Sequence, residues 1–261
     1  MEYSKILDYM AVYGSNKEDI IKRRGYEEIL ECVVIAPWWE HTIFDDFSTS
    51  IKQVGDKVYN VFTEACSFSF IEIKGIGASA LIEEVLALGV TKCKKIIFIG
   101  SAGAIDESIN IGDLVIPKLS INGVGVTRYL NENLCDDFEE KYYSSEKLNS
   151  KLVSVIEALG HNVKIVENYS VDTIIAQFPH IEHIINLNAK TIEMETSALF
   201  KCANIMGIDA CALFVISDNS VKNKSLYSGR SEEDSKRRKR VRKEVVPVII
   251  NEFFKDNKGD N

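Results

Sequence analysis

The 261-residue sequence contains no apolar run approaching the roughly 18–20 residues that cross a bilayer. Its start, MEYSKILDYM, lacks the basic-then-apolar order of a secretory leader, so a cytoplasmic protein is expected. An excess of positive charge is also missing. With 39 acidic against 31 basic residues the net charge is -8, which disfavours broad attraction to phosphate backbones or anionic lipid. The expected partner is therefore a small molecule, with no nucleic acid and no membrane. The six cysteines, at 32, 66, 93, 135, 202 and 211, include no C-x-x-C pair. Neither a zinc site nor a disulfide framework is suggested, and buried reduced thiols are expected. Linkers, low-complexity tracts and internal repeats are lacking too, so one domain is expected.

What is present is the material of a core: 46% hydrophobic and 27% charged residues exclude a disordered chain. Residues 1–30, with NKEDIIKRRGYEEIL, read as a helical N-terminal extension. Short β-branched runs follow at CVVIA (32–36), KVYNVFTEA (57–65), SFSFIEIK (67–74), KKIIFIG (94–100) and DLVIPKLSI (113–121). ASALIEEVLALG (78–89) has helical periodicity and closes on glycine. The alternation continues with a helix over 146–160, a strand at NVKIVENYS, a short strand at TIEM, a helix over 196–206, a strand at ACALFVISD (210–218) and a final helix over 231–255. Such alternation predicts an α/β fold: a single domain, 31–256, with a mixed, mostly parallel central sheet flanked by helices, and a C-terminal tail at 257–261.

In sheets of this kind ligands gather at the carboxyl ends of the strands. Five polar or glycine-rich strand ends are expected on that rim: Ala36-Pro37-Trp38-Trp39-Glu40, Gly100-Ser101-Ala102-Gly103, Tyr169-Ser170, Glu193-Met194-Glu195 and Ser217-Asp218. The turn at Gly100-Ser101 offers free N–H groups and a hydroxyl to an anion or a sugar, or is structural only. If the strand continues through them, Glu193 and Glu195 point to one side, where two carboxylates suit the vicinal diol of a ribose. The other reading makes Glu195 an acid at a helix N-terminus. Asp218 ends an apolar strand, where desolvation raises a carboxyl pKa and suits a general acid; SDNS is also good turn chemistry.

In combination, GIGASALIEEVLALG, FIGSAGAIDESINIGDLVIP, IEMETSALF and VISDNS resemble the nucleoside phosphorylases and nucleosidases, a family that includes purine nucleoside phosphorylase, uridine phosphorylase and methylthioadenosine nucleosidase. The resemblance covers most of residues 32–255. It implies an enzyme that cleaves the N-glycosidic bond of a nucleoside without metal or organic cofactor, working as a homo-oligomer, dimer or hexamer. By the same likeness Glu195 grips the 2′ and 3′ hydroxyls, Met194 packs on the sugar, Tyr169 lies against the base and Asp218 protonates a purine at N7. Arg230 falls near an arginine that pairs with that aspartate.

Phosphorylases of this family keep phosphate-binding arginines after the first strand and two residues before the second turn's glycine. Here those stretches read APWWEHT and IIFIGSAG, with no arginine and with Phe98 in the second. Two lost charge-assisted contacts cost about 3–6 kcal/mol of phosphate affinity. Glu40 falls where the nucleosidases keep a water-activating glutamate. Water as acceptor is thus favoured, with phosphate as co-substrate in a phosphorylase, and a non-catalytic nucleoside-binding or storage protein, as the alternatives. Three further features are discounted. KGIGASA imitates a dinucleotide fingerprint, but the next strand ends without an acid. His180 and His183 lack a third ligand. KRRKRVRK (236–243) follows Glu232 and Glu233 at ion-pair spacing and reads as a solvated helix face.

Overall fold

The computed structural model describes residues 1–255; the expected tail at 257–261 lies outside them. Two helices, α1 (Tyr3–Val12) and α2 (Lys17–Arg24), precede the sheet. α2 starts on a capping box between Asn16 and Asp19 and stops at Gly25, whose φ of 69° a side chain would resist. Then come β1 (Cys32–Pro37), β2 (Ser48–Gly55), β3 (Val58–Thr63), β4 (Ser67–Ile73), α3 (Ala78–Leu88), β5 (Lys95–Ala104), β6 (Leu114–Gly123), β7 (Lys141–Tyr143) and α4 (Glu146–Ala158). The chain continues through β8 (Val163–Val171), α5 (Ile181–Asn186), β9 (Thr191–Glu193), α6 (Thr196–Met206), β10 (Asp209–Asn219), α7 (Glu232–Arg240) and α8 (Val246–Phe254).

All ten strands of the described residues belong to one mixed sheet. β1 pairs in parallel with β4 and β5, β5 with β10, and β8 with β6 and β9. β2 and β3 extend one edge as antiparallel strands. β10 also pairs antiparallel with β6, and β9 antiparallel with β5, so β5, β9, β8, β6 and β10 close into a ring. Helices cover the sheet on both sides. Leu81, Val85, Leu199 and Phe200 of α3 and α6 pack with Val33, Phe98 and Phe214. On the other side Leu152, Ile249 and Phe253 of α4 and α8 pack with Phe68, Phe70 and Val215. Either cluster alone would leave one face of continuous apolar strands in water, and each buried Leu or Phe side chain contributes about 1.5–3 kcal/mol.

The structure departs from the expected elements at four places. The turn expected at Gly100-Ser101-Ala102-Gly103 is strand, because β5 runs on to Ala104 beside β10. β2 is a solvent-exposed edge, alternating too weakly to be read. β7 and α5 are shorter than the windows in which a period shows. The expected final helix is two: a single wide π-turn, Val241–Val245, separates α7 from α8 just before Pro247, whose ring cannot follow a regular turn. Of the six cysteines, five are buried and Cys135 is exposed, all as free thiols. No helix of the described residues is long and apolar enough to cross a membrane.

Candidate active site

The carboxyl ends of β5, β9 and β10, with the turn after β1, enclose a chamber of about 250 Å³. Pro37, Trp38, Trp39, Gly100, Ser101, Gly103, Glu193, Met194, Glu195, Ser217 and Asp218 all line it, so eleven residues expected on the rim share one cavity. The ring closure causes this. Because β5 pairs with both β9 and β10, the polar ends of three strands distant in sequence meet around one opening.

Glu193 and Glu195 do not act as the matched pair that strand alternation suggests. β9 ends at Glu193 and α6 begins at Thr196, so the chain turns between the two carboxylates. Glu193 is buried and accepts from four protein donors: Asn168 Nδ2 at 2.7 Å, Ser170 Oγ at 2.5 Å, and the N–H groups of Glu195 and Thr196, both at 2.8 Å. It satisfies the first free N–H groups of α6, the task first considered for Glu195. Glu195 accepts only from the N–H of Gly77 (2.5 Å) and of Met194 (3.2 Å). A carboxylate has about four lone-pair directions, so roughly two remain for a diol. Burial raises the pKa of both carboxyls, and the charge of Glu193 raises that of Glu195 further.

Gly77 comes from KGIGASA, the discounted motif. It begins α3 at φ 88°, a conformation open to glycine, and its N–H fixes Glu195. The glycine pattern therefore serves a carboxylate.

Asp218 sits at a register shift where β10 runs beside β5, opposite Gly103. A Cβ on Gly103 would lie 2.9 Å from Asp218 Oδ2, so the close strand approach needs glycine there. The Ser217 hydroxyl donates to Asp218 Oδ1 at 2.5 Å. Burial raises the pKa of Asp218 against the pull of Ser217, Arg230 and Arg238, which keeps a proton on it to a higher pH than a surface aspartate would hold. Arg230 donates to the Ser217 carbonyl at 3.4 Å and to that of Leu226 at 2.9 Å, and acts on Asp218 through its charge.

Three expectations need correction. Tyr169 does not line the chamber. β8 runs on past it to Val171, and Tyr169 is buried in a cluster with Ile121, Ile184 and Ile192, its ring against Gly123. Val171, Ile174 and Phe178 form the apolar wall in its place. Glu40 is exposed and opens on a second, wider chamber of about 630 Å³, which adjoins the first across Trp38, Trp39, Arg238 and Arg242; Arg230 lines that outer chamber too. The basic run is a solvated face only in part. Lys236 pairs with Glu232 at 2.7 Å as expected, whereas Arg238 and Arg242 turn inward and line both chambers. Their signal lay in the spacing: 238, 241, 242 and 245 share one helical face with two valines. His183, for its part, faces Glu139 at 2.5 Å.

Fold and chamber together define an α/β protein of the nucleoside phosphorylase type. The chain belongs to the phosphorylase superfamily, whose family model matches residues 45–249. Among curated proteins it is 28% identical, over 171 residues, to a 5′-methylthioadenosine/S-adenosylhomocysteine nucleosidase of Buchnera aphidicola subsp. Acyrthosiphon pisum (strain APS), covering 59% of this chain and 68% of that protein. A DeoD-type purine nucleoside phosphorylase of Streptococcus pneumoniae (strain CGSP14) is 27% identical over 131 residues, 49% of this chain and 53% of its own length. In solved structures, uridine phosphorylase of Vibrio fischeri ES114 superposes with a TM-score of 0.71 at 17% identity, over 87% of this chain and 91% of that one. The Campylobacter jejuni 5′-methylthioadenosine/S-adenosylhomocysteine nucleosidase does so with a TM-score of 0.69 at 15% identity, over 87% and 100%. The superfamily match begins after the first turn, so Trp38 to Glu40 lie outside it.

Proposed function

We propose that this protein cleaves the N-glycosidic bond of a purine-type nucleoside. The observation that carries the reading is the meeting of Glu195 and Asp218 in one chamber, one with free acceptor directions and the other biased towards its protonated form. As the bond breaks, positive charge builds at C1′ and negative charge on the base. Asp218 gives its proton to the base, the electron pair of the C1′–N bond leaves with the base, and the acceptor's oxygen closes on C1′; when the acceptor is water, the proton it loses passes to solvent, from which Asp218 is reprotonated. Glu195 holds the two ribose hydroxyls, Met194 packs on the sugar, and Val171, Ile174 and Phe178 enclose the apolar heterocycle. Glu193, Gly77 and Ser217 are positioning residues. No metal or cofactor enters this scheme, and a second copy of the chain is the expected cover of the chamber mouth.

Water as acceptor keeps one supporting observation, Phe98 in the wall where phosphorylases of the family carry arginine. Its proposed base does not share that support, because Glu40 opens on the outer chamber.

A panel of purine and pyrimidine nucleosides, each with and without inorganic phosphate, tests the reading through release of free base. Release from purine nucleosides, weakened in Glu195→Gln mainly through KM, is expected. No release from any nucleoside, together with tight nucleoside binding, would replace the enzyme with a binding or storage protein.

A further inference from the structure

Arg238 and Arg242 stand apart from the other basic residues of 236–243 because they are half-buried where the others are exposed. Arg237 pairs with Asp113, Lys236 with Glu232, and Lys224 of the preceding loop with Asp234. Among the described residues neither Arg238 nor Arg242 forms an ion pair, although burial, which disfavours an uncompensated charge, lowers the pKa of both. Each is held by neutral groups. Arg238 donates from Nη2 to Ser101 Oγ at 3.3 Å, and its buried Nε has no partner in the chain. Arg242 stacks over the Trp39 ring at 4.4 Å and donates to the Trp38 carbonyl. That carbonyl is aimed by an unusual backbone: Trp38 has φ 59°, a left-handed conformation that costs a bulky residue about 1–2 kcal/mol. The π-turn Val241–Val245 falls at Arg242, and such turns recur at functional sites. Arg230, Lys239 and Lys243 add further cations beside the outer chamber, while the carboxylates that line it are Glu40 and Asp46.

From this arrangement we propose that Arg238 and Arg242, with the Ser101 hydroxyl, form a binding site for a phosphate-class oxyanion, placed where the two chambers meet. Two guanidinium groups fixed by stacking and by carbonyl or hydroxyl contacts keep donors free, and a tetrahedral dianion can accept several of them at once. The site replaces, from a helix late in the chain, the charge that is missing at Trp38 and Phe98. It deepens the proposed function and rests on it only for the identity of the neighbouring ligand, since the oxyanion's own binding is measurable without turnover. Two sources share this chemistry: free inorganic phosphate bound beside a nucleoside, and the ester phosphate of a nucleoside monophosphate.

The test is thermal shift and calorimetry at fixed ionic strength, on the full chain, with inorganic phosphate, a purine nucleoside, both together, and a purine nucleoside 5′-monophosphate. Arg238→Gln and Arg242→Gln should each weaken the oxyanion about 10- to 100-fold, the loss of one charge-assisted contact, while nucleoside binding changes little. Arg238→Lys should recover part of the affinity, and Arg240→Gln, exposed on the same helix and lining neither chamber, should leave it unchanged, which separates a fork-shaped contact from general charge and from misfolding. Phosphate protection that adds to that of the nucleoside identifies free phosphate; protection by the monophosphate alone, with the same arginine dependence, identifies the ester. Oxyanion binding that is absent, or that is equal in wild type and the Arg238→Gln/Arg242→Gln double variant, overturns the site. Base release without oxyanion binding would leave the proposed cleavage standing and remove only this inference.

Discussion

Asp218→Asn isolates the proposed proton donor. The amide has nearly the carboxyl's volume, its oxygen can still accept from Ser217, and the facing Gly103 leaves the same space. What it removes is the proton. Positioned general acids contribute about 10²–10⁴-fold, so kcat/KM for a purine nucleoside should fall by that factor. A riboside with p-nitrophenolate as leaving group, which departs without protonation, should lose far less. The pH profile provides a second reading. Asp218 is active while protonated, so the wild-type rate should fall as pH rises through its raised pKa, and the variant should not show that limb. The stability contribution of Asp218 should likewise fall as pH rises. A carboxyl whose folded pKa is raised stabilises the fold fully below its unfolded value near 4, and that contribution is lost as pH rises to the folded value. At pH 7 the Asn variant should therefore melt at a higher temperature than wild type, by an amount that shrinks in acid. Equal losses on both substrates, or a wild-type rate on the purine nucleoside, would refute Asp218 as the acid.

Gly103→Ala should push the Asp218 carboxyl aside, because the new methyl would stand 2.9 Å from Oδ2. Steady-state kinetics should show kcat down about 10²-fold with KM little changed, and urea unfolding a loss of about 1–3 kcal/mol. Lys201→Met strands a buried acid: Lys201 Nζ lies 2.5 Å from Asp137 Oδ2, and both residues are buried. Breaking such a pair from one side costs about 3–5 kcal/mol, visible as a lower urea midpoint and partly restored by adding Asp137→Asn. Burial raises the Asp137 pKa, but hydrogen bonds from Lys201 and Tyr142 outweigh it and hold the carboxyl below its ordinary value. The pair's stability should thus be complete above about pH 4 and fall away in stronger acid.

The class of fold was legible because its strands and helices carry unambiguous periods. CVVIA, KKIIFIG and ACALFVISD are buried on both faces, and only a sheet covered by helices accommodates such runs. Edge strand β2 and three-residue β7 escaped because an exposed or very short segment has little pattern to read. Ser217-Asp218 was locatable because it closes a long apolar run, and Glu193-Met194-Glu195 because a helix begins beside it, whereas Gly100-Ser101 lies inside β5, which runs on to Ala104. Tyr169 was misplaced because β8 runs on past it to Val171 and its side chain packs into the core behind the chamber wall.

By itself, then, the sequence determined the layered α/β architecture and which polar residues close its strands, because local period and composition act over a few residues. Only the tertiary structure decided how those residues divide the work. The turn between β9 and α6 committed Glu193 to the helix and left Glu195 open, a matter of backbone direction that two glutamates flanking a methionine do not encode. The pairing of β5 with both β9 and β10 brought Glu195 and Asp218 together. Packing of the chain around 236–243 turned Arg238 towards Ser101 and Arg242 towards Trp39, contacts across more than a hundred residues that no local pattern specifies.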